Sequence, residues 1–214
     1  MTLSNLVDYV ESLINQDLTD DTETITRTEV IAHLNTGYKW AVGAVCEISE
    51  DYYLVPTDGD TQANVSYYTL PLKTRKLDRL EIQYSAGVRA RSTRIDRNAI
   101  NDPSTVFDTL HPLHSLIGNN FEIFPTPTTA VTGGFTFWRI KDVDDLSGDT
   151  DVVNLPTGYE HIPALYAAGM VKIKIGLFSE GNKLLDTFNT QLEMMKEQLK
   201  PRDEGNPEYV IIRE

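Results

Sequence analysis

Two histidines and one acidic segment are the parts of this sequence whose residue types could bind a metal ion. His111 and His114 are three residues apart, but no acidic or cysteine ligand lies near them, and Pro112 favours a turn. The segment from Asp142 to Asp151 resembles a calcium-binding loop, yet its twelfth position is Val153, where such a loop needs a bidentate glutamate. The sequence therefore predicts no metal site.

The sequence also lacks the motifs of common catalytic and nucleotide-binding sites. It contains no Gly-x-Ser-x-Gly segment, and no Lys-Ser or Lys-Thr pair follows Gly133-Gly134 as it would in a phosphate-binding loop. Cys46 is the only cysteine, and its neighbours Val45 and Ile48 favour a small buried residue over a nucleophile. We therefore predict no catalytic residues, no cofactor and no enzymatic activity.

Composition is typical of a folded, water-soluble protein with one large domain, or with one domain that carries an insertion. The 214 residues are 40% hydrophobic, which is ample for a core. No apolar run approaches the roughly 20 residues that cross a bilayer. The first four residues lack the basic and apolar segments of a signal peptide. These features predict a soluble protein that is made in the cytoplasm.

Charge is distributed in blocks along a chain whose net charge is −13. Residues 1–66 carry 12 acidic and 2 basic side chains, whereas residues 67–100 sum to +5 and residues 142–160 to −6. The overall negative charge disfavours non-specific binding to nucleic acid or to an anionic membrane. The opposite blocks can pair within one molecule or between neighbouring copies, and the sequence leaves both arrangements open.

The N-terminal region predicts two helices. Apolar residues recur on one helical face through residues 3–15. Thr26 and Glu29 fit a capping box, in which the threonine side chain accepts from the N–H three residues on and the glutamate reaches back. Apolar residues then repeat every three or four positions, so a second helix is predicted over residues 27–47.

From residue 51 the pattern changes to short β-like runs separated by turn residues, which predicts a mainly antiparallel sheet. The predicted strands cover residues 52–55, 67–70, 77–84, 88–91, 121–124 and 135–140. The predicted turns include Pro56, Asp58-Gly59-Asp60 and the segment around Pro112. Residues 95–100 are predicted to form a short helical turn.

Helical periodicity returns before residue 160 and predicts two further helices. Thr157 and Glu160 match a second capping box, although Pro163 favours a short first turn before the main helix. The small residue Gly169 predicts close packing against another helix. A turn is predicted at Ser179-Glu180-Gly181, ahead of the fourth helix.

The chain ends in an apolar run that follows two prolines. Pro201 and Pro207 cannot continue the fourth helix, because proline lacks the N–H that a helix interior needs. The four residues of the run favour a strand: Tyr209, Val210, Ile211 and Ile212. The tail either packs back on its own domain or adds to the edge of a partner's sheet, and we favour a docking arm.

The resulting prediction is an α+β fold. Two N-terminal and two C-terminal helices form a four-helix bundle, which carries a mainly antiparallel β-sheet insertion and an extended C-terminal tail. We predict the bundle over residues 1–50 and 155–200, the insertion over 51–154 and the docking tail over 201–214.

Four groups of residues, in this order along nearly the whole chain, resemble the head–tail connector adaptors of tailed bacteriophages. The groups are Thr26-x-x-Glu29-Val-Ile-x-x-Leu-Asn35-x-x-Tyr38; Tyr68-x-Leu-Pro71 before Leu77-x-x-Leu-x-Ile82; Phe121-x-Ile-x-Pro125-x-Pro127; and Leu155-Pro156-x-x-Tyr159 before Ala164-Leu-Tyr-Ala-Ala168. The resemblance implies a helical bundle with a β insertion, no enzymatic activity and a place in the virion, with assembly in the cytoplasm of the bacterial host.

The resemblance also implies partners. It predicts a ring, typically dodecameric, that binds the portal protein through the C-terminal segment and a tail or stopper protein below. DNA passes through such a ring without specific binding, and no membrane is involved. An acidic protein suits a conduit that must not hold its cargo, and opposite charge blocks suit a head-to-tail ring contact.

Three groups of residues are therefore candidate contact sites. The apolar run at residues 209–212 is expected to dock on the portal. The basic block is expected to form the ring interface, and its members are Arg75, Lys76, Arg79, Arg89, Arg91, Arg94 and Arg97. The channel lining is expected from the acidic segment, namely Asp142, Asp144, Asp145, Asp149 and Asp151, or else from residues 17–23.

Two other functions remain open at this stage. One is another virion component, such as a stopper or a tail-completion protein. The number of copies in the assembled ring would help to distinguish such a protein from an adaptor. The other is a cellular sheet-bearing module that binds carbohydrate through Trp138 and the tyrosines. Such a module would stay monomeric and would not need an apolar tail.

Overall fold

The structure of the chain is a computed structural model that describes residues 1–15, 25–85, 87–101 and 105–200. It divides into two compact units. The described residues of the helical unit lie within 1–52 and 143–200, and those of the sheet unit lie within Tyr53–Asp142. Residues 143–154, which the sequence assigned to the β-rich insertion, thus lie with the helices.

Four long helices lie within the described part of the helical unit. These are α1 (Leu3–Ile14), α2 (Arg27–Ile48), α3 (Ile162–Lys174) and α4 (Phe178–Leu199). Helix α3 packs against each of the other three helices, and most of its residues are buried. A helix that is apolar on nearly all sides is a central element. The unit is therefore organised around α3, rather than as four equivalent helices around a shared seam.

Local signals set the starts of α1 and α2. Thr2 and Thr26 have extended backbones, and each side chain accepts a hydrogen bond from the N–H three residues on. The predicted cap at Thr26 is confirmed. The carboxylate of Glu29, however, contacts Lys174 of α3.

The second predicted capping box, at Thr157 and Glu160, is wrong. Helix α3 begins at Ile162 with Pro163 in its first turn, a position that suits proline because its missing N–H would have no partner there. Glu160 instead accepts a hydrogen bond of 2.8 Å from the N–H of Gly158. The Thr157 signal therefore lies in the loop, too far from the helix start to cap it.

The turn predicted at Ser179–Gly181 is also displaced. The chain turns at Gly176, whose φ of 84° is open to glycine, and Gly181 lies within α4. A Cβ built on Gly181 would come 2.7 Å from the carbonyl oxygen of Gly169 in α3. The predicted close packing at Gly169 is confirmed, since these two glycines let the helix backbones meet.

Seven strands are formed by the residues of the sheet unit that the structure describes. They are β1 (Leu54–Thr61), β2 (Tyr67–Thr69), β3 (Thr74–Ser85), β4 (Val88–Arg94), β5 (Leu113–Ile117), β6 (Asn120–Phe124) and β7 (Val131–Lys141). Their order across the sheet is β1-β7-β3-β4-β5-β6-β2. The pairing of β4 with β5 is parallel, and the other pairings are antiparallel.

The predicted fold class is therefore wrong: four helices accompany a curled, mixed, seven-stranded sheet that forms a half-barrel. The sequence missed β5 because Pro112 favoured a turn. Since β5 returns beside β4 through the long 95–112 connection and not through a hairpin, the two strands run parallel. Residues Arg97–Asn101 of that connection form the short helical turn predicted there.

Strand β1 runs through residues that favoured turns. Pro56 and Gly59 both lie inside β1, which pairs only with β7 and so forms an edge of the sheet. An edge strand accepts proline because its outward N–H has no partner to lose. At Gly59 a Cβ would come 2.0 Å from the ring of Phe135, so the aromatic side chain occupies the space above the glycine.

One face of the sheet buries an aromatic core. Phe121 stacks edge-on against Phe137, with ring centroids 4.7 Å apart, and Phe135 packs on both. Leu80 and Ile82 of β3 complete the buried centre. This core fixes the register of β3 against β7, because a slip by one residue would turn the apolar side chains to the opposite face.

Candidate functional site

The seven-stranded sheet splits where β3 and β4 part. Their pairing ends at Leu80 opposite Ser92. Beyond this point β3 continues beside β7, whereas β4 pairs with β5 through Thr93 opposite Leu113. Because the strands diverge, a cleft opens between the first half of β3 and the end of β4.

This basic cleft has a volume of about 330 Å³. Its lining consists of Leu77, Asp78, Arg79, Arg91, Ser92, Thr93, Arg94, His114 and Leu116. A second depression, of about 490 Å³, adjoins it and shares Arg94 and Leu116 with it. The second depression is also lined by Ile95, Asp96, Arg97 and Ser115.

The structure brings four of the seven members of the basic block to these two depressions. Arg79 and Arg91 line the basic cleft, Arg97 lines the second depression, and Arg94 lines both. The remaining three, Arg75, Lys76 and Arg89, lie outside both linings. The strand split is what gathers the arginines, so no sequence spacing could reveal the cleft.

Two of the gathered arginines have partners in the same chain. The Arg79 guanidinium lies 4.6 Å from the centroid of the Trp138 ring, and its Nε lies 3.0 Å from Oε1 of Glu81. The Arg79 contact with Glu81 is an ion pair without hydrogen-bond geometry. Arg97 Nε lies 3.5 Å from Oε2 of Glu122. Part of the basic block therefore pairs within the molecule.

The other two are exposed and form no ion pair within the described ranges. Arg91 and Arg94 lie on β4, and neither is close enough to a described carboxylate for a salt bridge. Arg75 on β3 is likewise exposed and unpaired there, but lies outside the cleft. Arg89 differs, since it donates to the carbonyl oxygen of Gly133 at 3.0 Å.

A buried polar pair forms part of the cleft lining. Ser92 Oγ and His114 Nδ1 are 2.9 Å apart and join β4 to β5. Burial, and to a smaller extent the nearby charge of Arg94, lower the pKa of His114 to about 4. His114 is therefore neutral at pH 7, and the charge of the cleft comes from its arginines and Asp78.

The two histidines singled out by sequence do not form a joint site. His111 is exposed and its Nδ1 lies 3.1 Å from Oδ1 of Asp108, an acidic neighbour that the sequence reasoning overlooked, whereas His114 is buried in the sheet. Across the described part of the chain, no group of three histidine, cysteine, aspartate or glutamate residues could hold a metal ion. Cys46 is buried on α2, as predicted.

The acidic segment is held to α2 by paired contacts. The side chain of Asn35 donates to the carbonyl oxygen of Leu146 at 3.0 Å and accepts from its N–H at 2.7 Å. Asp145 lies 2.6 Å from Nζ of Lys39, and Asp149 forms an ion pair with Arg27. Residues 142–160 contain no basic residue, and both cations come from a distant helix, α2.

The remaining acids of the segment are also engaged. Asp151 accepts hydrogen bonds of 2.8 Å from the N–H groups of Ser147 and Gly148, and these bonds lower the pKa of its carboxyl. Asp144 and Asp142 each have an interaction within the chain. The acidic segment is therefore an ordered loop whose charges are partly neutralised by cations and N–H groups of the same chain.

Sequence reasoning missed the structural role of two residues that carried the family resemblance. Asn35 clamps Leu146, and the Tyr38 hydroxyl accepts from the N–H of Asn154 at 3.0 Å. Both lie on α2, three residues apart, and both hold the 143–154 segment. A polar residue and a tyrosine on one helix face were the available signal, but nothing in the sequence names their partners.

Trp138 is poorly placed to bind a sugar. Its ring is only partly exposed, and Arg79 covers one face of it. Carbohydrate-binding aromatics offer an open face to the sugar ring, so this observation removes the main support for a carbohydrate-binding module.

Two of the predicted sites fall on residues that the structure does not describe. The apolar run at residues 209–212 and the acidic residues 17–23 lie outside the described ranges. Among the helices that are described, none combines the length and the apolar character needed to cross a membrane.

Comparison with known proteins identifies the family. No curated protein sequence matches the chain. The family model described as SU10 adaptor protein matches residues 1–207, which include both units. The resemblance to phage adaptors found in the sequence is thereby confirmed, and the chain is a structural virion component of the adaptor type. This chain belongs to the SU10 adaptor protein family, a family of bacteriophage head–tail adaptors.

Proposed function

We propose that this chain forms a ring that joins the portal to the tail and surrounds the path of the DNA. The observation that carries the proposal is the extent of the family match, which covers residues 1–207 and so includes both units. A match of this extent describes the whole architecture and not a borrowed module. A dodecameric ring, assembled in the host cytoplasm, is the form we propose.

The ring contact is formed by the basic block of one copy and an acidic surface of the next. A head-to-tail contact of this kind uses two different surfaces and closes without free edges. Three members of the block, Arg79, Arg89 and Arg97, already have acidic partners in the chain. Arg75, Arg91 and Arg94 are therefore the members best able to reach a neighbour, and two of them, Arg91 and Arg94, line the basic cleft.

Exposed charge pairs at such a contact are screened over about 8 Å at physiological ionic strength. Ring assembly should therefore weaken as salt rises from low to high concentration. Sedimentation velocity across a salt series measures this directly. Assembly that strengthens steadily with salt would show that apolar burial closes the ring.

The C-terminal run at residues 209–212 is proposed to dock on the portal as an added strand. Helix α4 ends at Leu199, ahead of Pro201, so the run is not needed to complete the helix. Deleting residues 207–214 should leave the thermal unfolding of the chain unchanged and abolish binding to the portal in pull-down. Normal portal binding by the truncated chain would exclude this role.

The acidic segment, or residues 17–23, is proposed to face the DNA channel, where negative charge prevents the DNA from adhering. Replacing Asp144, Asp145 and Asp149 with lysine should slow DNA ejection from particles, because each added cation can hold a phosphate. The same replacement in residues 17–23 is the matched variant. Normal ejection by both variants, in particles that assemble normally, would place both acidic regions outside the channel.

Native mass spectrometry of the chain mixed with its portal tests the proposed function as a whole. We expect a complex with one adaptor per portal subunit or a fixed ratio near it, as a closed ring requires. A chain that binds the tail components but not the portal would instead support a stopper or tail-completion protein, the alternative named from the sequence.

A further inference from the structure

We propose that the basic cleft is a receptor for a carboxylate side chain, and that the aspartate or glutamate it holds belongs to a neighbouring copy of this chain. The proposal rests on the proposed ring and adds what that ring leaves open: the pocket, the chemistry of the ligand and the two arginines that bind it. Arg91 and Arg94 are those arginines.

The charge of the cleft favours an anion. Its lining includes three arginines and a single aspartate, Asp78. Arg79 is held by Glu81 and by the Trp138 ring, so its charge is already shared. Arg91 and Arg94 form no ion pair within the described residues. Since an arginine fork matches the two oxygens of a carboxylate, either of these side chains is suited to bind one.

The walls of the cleft suit a side chain better than a nucleic acid backbone. Leu77 and Leu116 contribute apolar surface beside the arginines, against which the methylene groups of an acidic side chain can pack. Ser92 and His114 are both buried, and they are hydrogen-bonded to each other at 2.9 Å. A duplex backbone would need an extended basic surface, whereas this cleft has a volume of about 330 Å³ and carries Asp78.

Charge complementarity identifies the occupant as another copy. The chain as a whole carries −13, so the surface that a neighbour presents is predominantly acidic. In a ring, each copy meets its neighbour at a high effective concentration, so a contact of modest strength is sufficient. The acidic segment of the same chain has its own partners in Lys39 and Arg27. We therefore expect the docking carboxylate to come from a different acidic surface.

The first arm of the test measures binding of the probe hexaglutamate to the full chain by isothermal titration calorimetry at pH 7. The variant Arg91→Gln/Arg94→Gln removes both charges with little change in side-chain size. Lys183→Gln is the matched control, because Lys183 of α4 is exposed and forms no ion pair among the described residues, and it lies outside both the cleft and the basic block. We expect the double variant to bind at least about tenfold more weakly and the control to bind normally.

The second arm measures ring formation of the same three proteins with the portal by native mass spectrometry. We expect the double variant to lose closed rings while circular dichroism shows it folded, and the control to keep them. Unchanged hexaglutamate binding or unchanged ring formation by the double variant would overturn the proposal. Binding of a short DNA duplex through Arg91 and Arg94, without binding of hexaglutamate, would also overturn it.

The two arms separate this proposal from the proposed function. If the wild-type chain forms no ring with the portal, the ring-forming function fails. In that event, hexaglutamate binding that depends on Arg91 and Arg94 would still establish the cleft as a carboxylate receptor, and binding that does not depend on them would reject it.

Discussion

The basic cleft and the acidic segment are both dense in charge, but the chain uses their charges differently. In the acidic segment, Asp145 and Asp149 pair with cations of α2, and Asp151 is taken up by backbone N–H groups. In the basic cleft, Arg91 and Arg94 have no such partner in the described part of the chain. A charged run in a sequence therefore does not by itself mark a contact surface. Its charges are available for a contact only if the fold gives them no partner within the chain.

We expect the Asn35 side chain, which clamps Leu146, to stabilise the acidic segment more than the ion pairs of the segment do. Asn35→Ala removes two hydrogen bonds and leaves both backbone groups of Leu146 without them. We expect the free energy of unfolding to fall by about 2–3 kcal/mol, measured by urea denaturation. Thr36→Ala is the control, since the Thr36 hydroxyl bonds only to the carbonyl oxygen of Ala32 on the same helix, and should change stability by less than about 0.5 kcal/mol. Equal effects of the two substitutions would show that the hydrogen bonds of Asn35 do not stabilise the segment.

We also expect the stability contributed by the basic cleft and that contributed by the acidic segment to be lost in different pH ranges. The pKa of His114 is lowered from 6.5 to about 4 in the folded chain. Because the unfolded state takes up the proton first, stability is complete above pH 6.5 and is lost as the pH falls toward 4. The carboxyl pKa of Asp151 is lowered from 3.8, so its contribution is lost only in more acidic solution.

Urea denaturation at pH 7 and pH 5 separates these windows. We expect the wild-type chain to lose about 2 kcal/mol between them from His114 alone, and the variant His114→Gln to lose correspondingly less. Asp151→Asn should leave the loss between pH 7 and pH 5 unchanged. A histidine variant with the wild-type pH dependence would show that burial of His114 does not set this slope.

The smallest effect is expected from the ion pairs of the acidic segment. Lys39 and Asp145 are both about half exposed, and Arg27 and Asp149 are similarly accessible. Exposed pairs of this kind contribute about 0–1 kcal/mol each, so Lys39→Gln and Arg27→Gln should each lower the free energy of unfolding by no more than that. A loss as large as that of Asn35→Ala would mean that charge, not the amide clamp, holds the segment.

The parts of the fold that sequence reasoning predicted well are those set by neighbouring residues. The start of α2 follows from Thr26, and that of α1 from the apolar repeat over residues 3–15, so both depend on neighbouring residues. The parallel partner of β4 could not be found in this way, since β5 returns from a distance and begins beside Pro112. Edge position, which is a property of the whole sheet, is what allows Pro56 inside β1.

The candidate sites show the same division between local and distant information. The sequence identified the residues of the basic block but not the cleft, because the cleft exists only where β3 and β4 separate. It identified the acidic segment but not its cations, because Arg27 and Lys39 lie more than 100 positions away in the chain. The sequence thus revealed which residue types form the candidate sites, but it did not reveal which residues lie close together in the fold.

In the proposed ring, the basic cleft and not the acidic segment carries the contact between neighbouring copies. A cryo-electron microscopy structure of the chain assembled on its portal would show this contact. We expect a carboxylate of the adjacent copy within about 4 Å of the guanidinium group of Arg91 or Arg94, the distance that defines an ion pair. A closed ring in which both arginines face solvent or DNA, while Asp145 and Asp149 contact the neighbour, would contradict it.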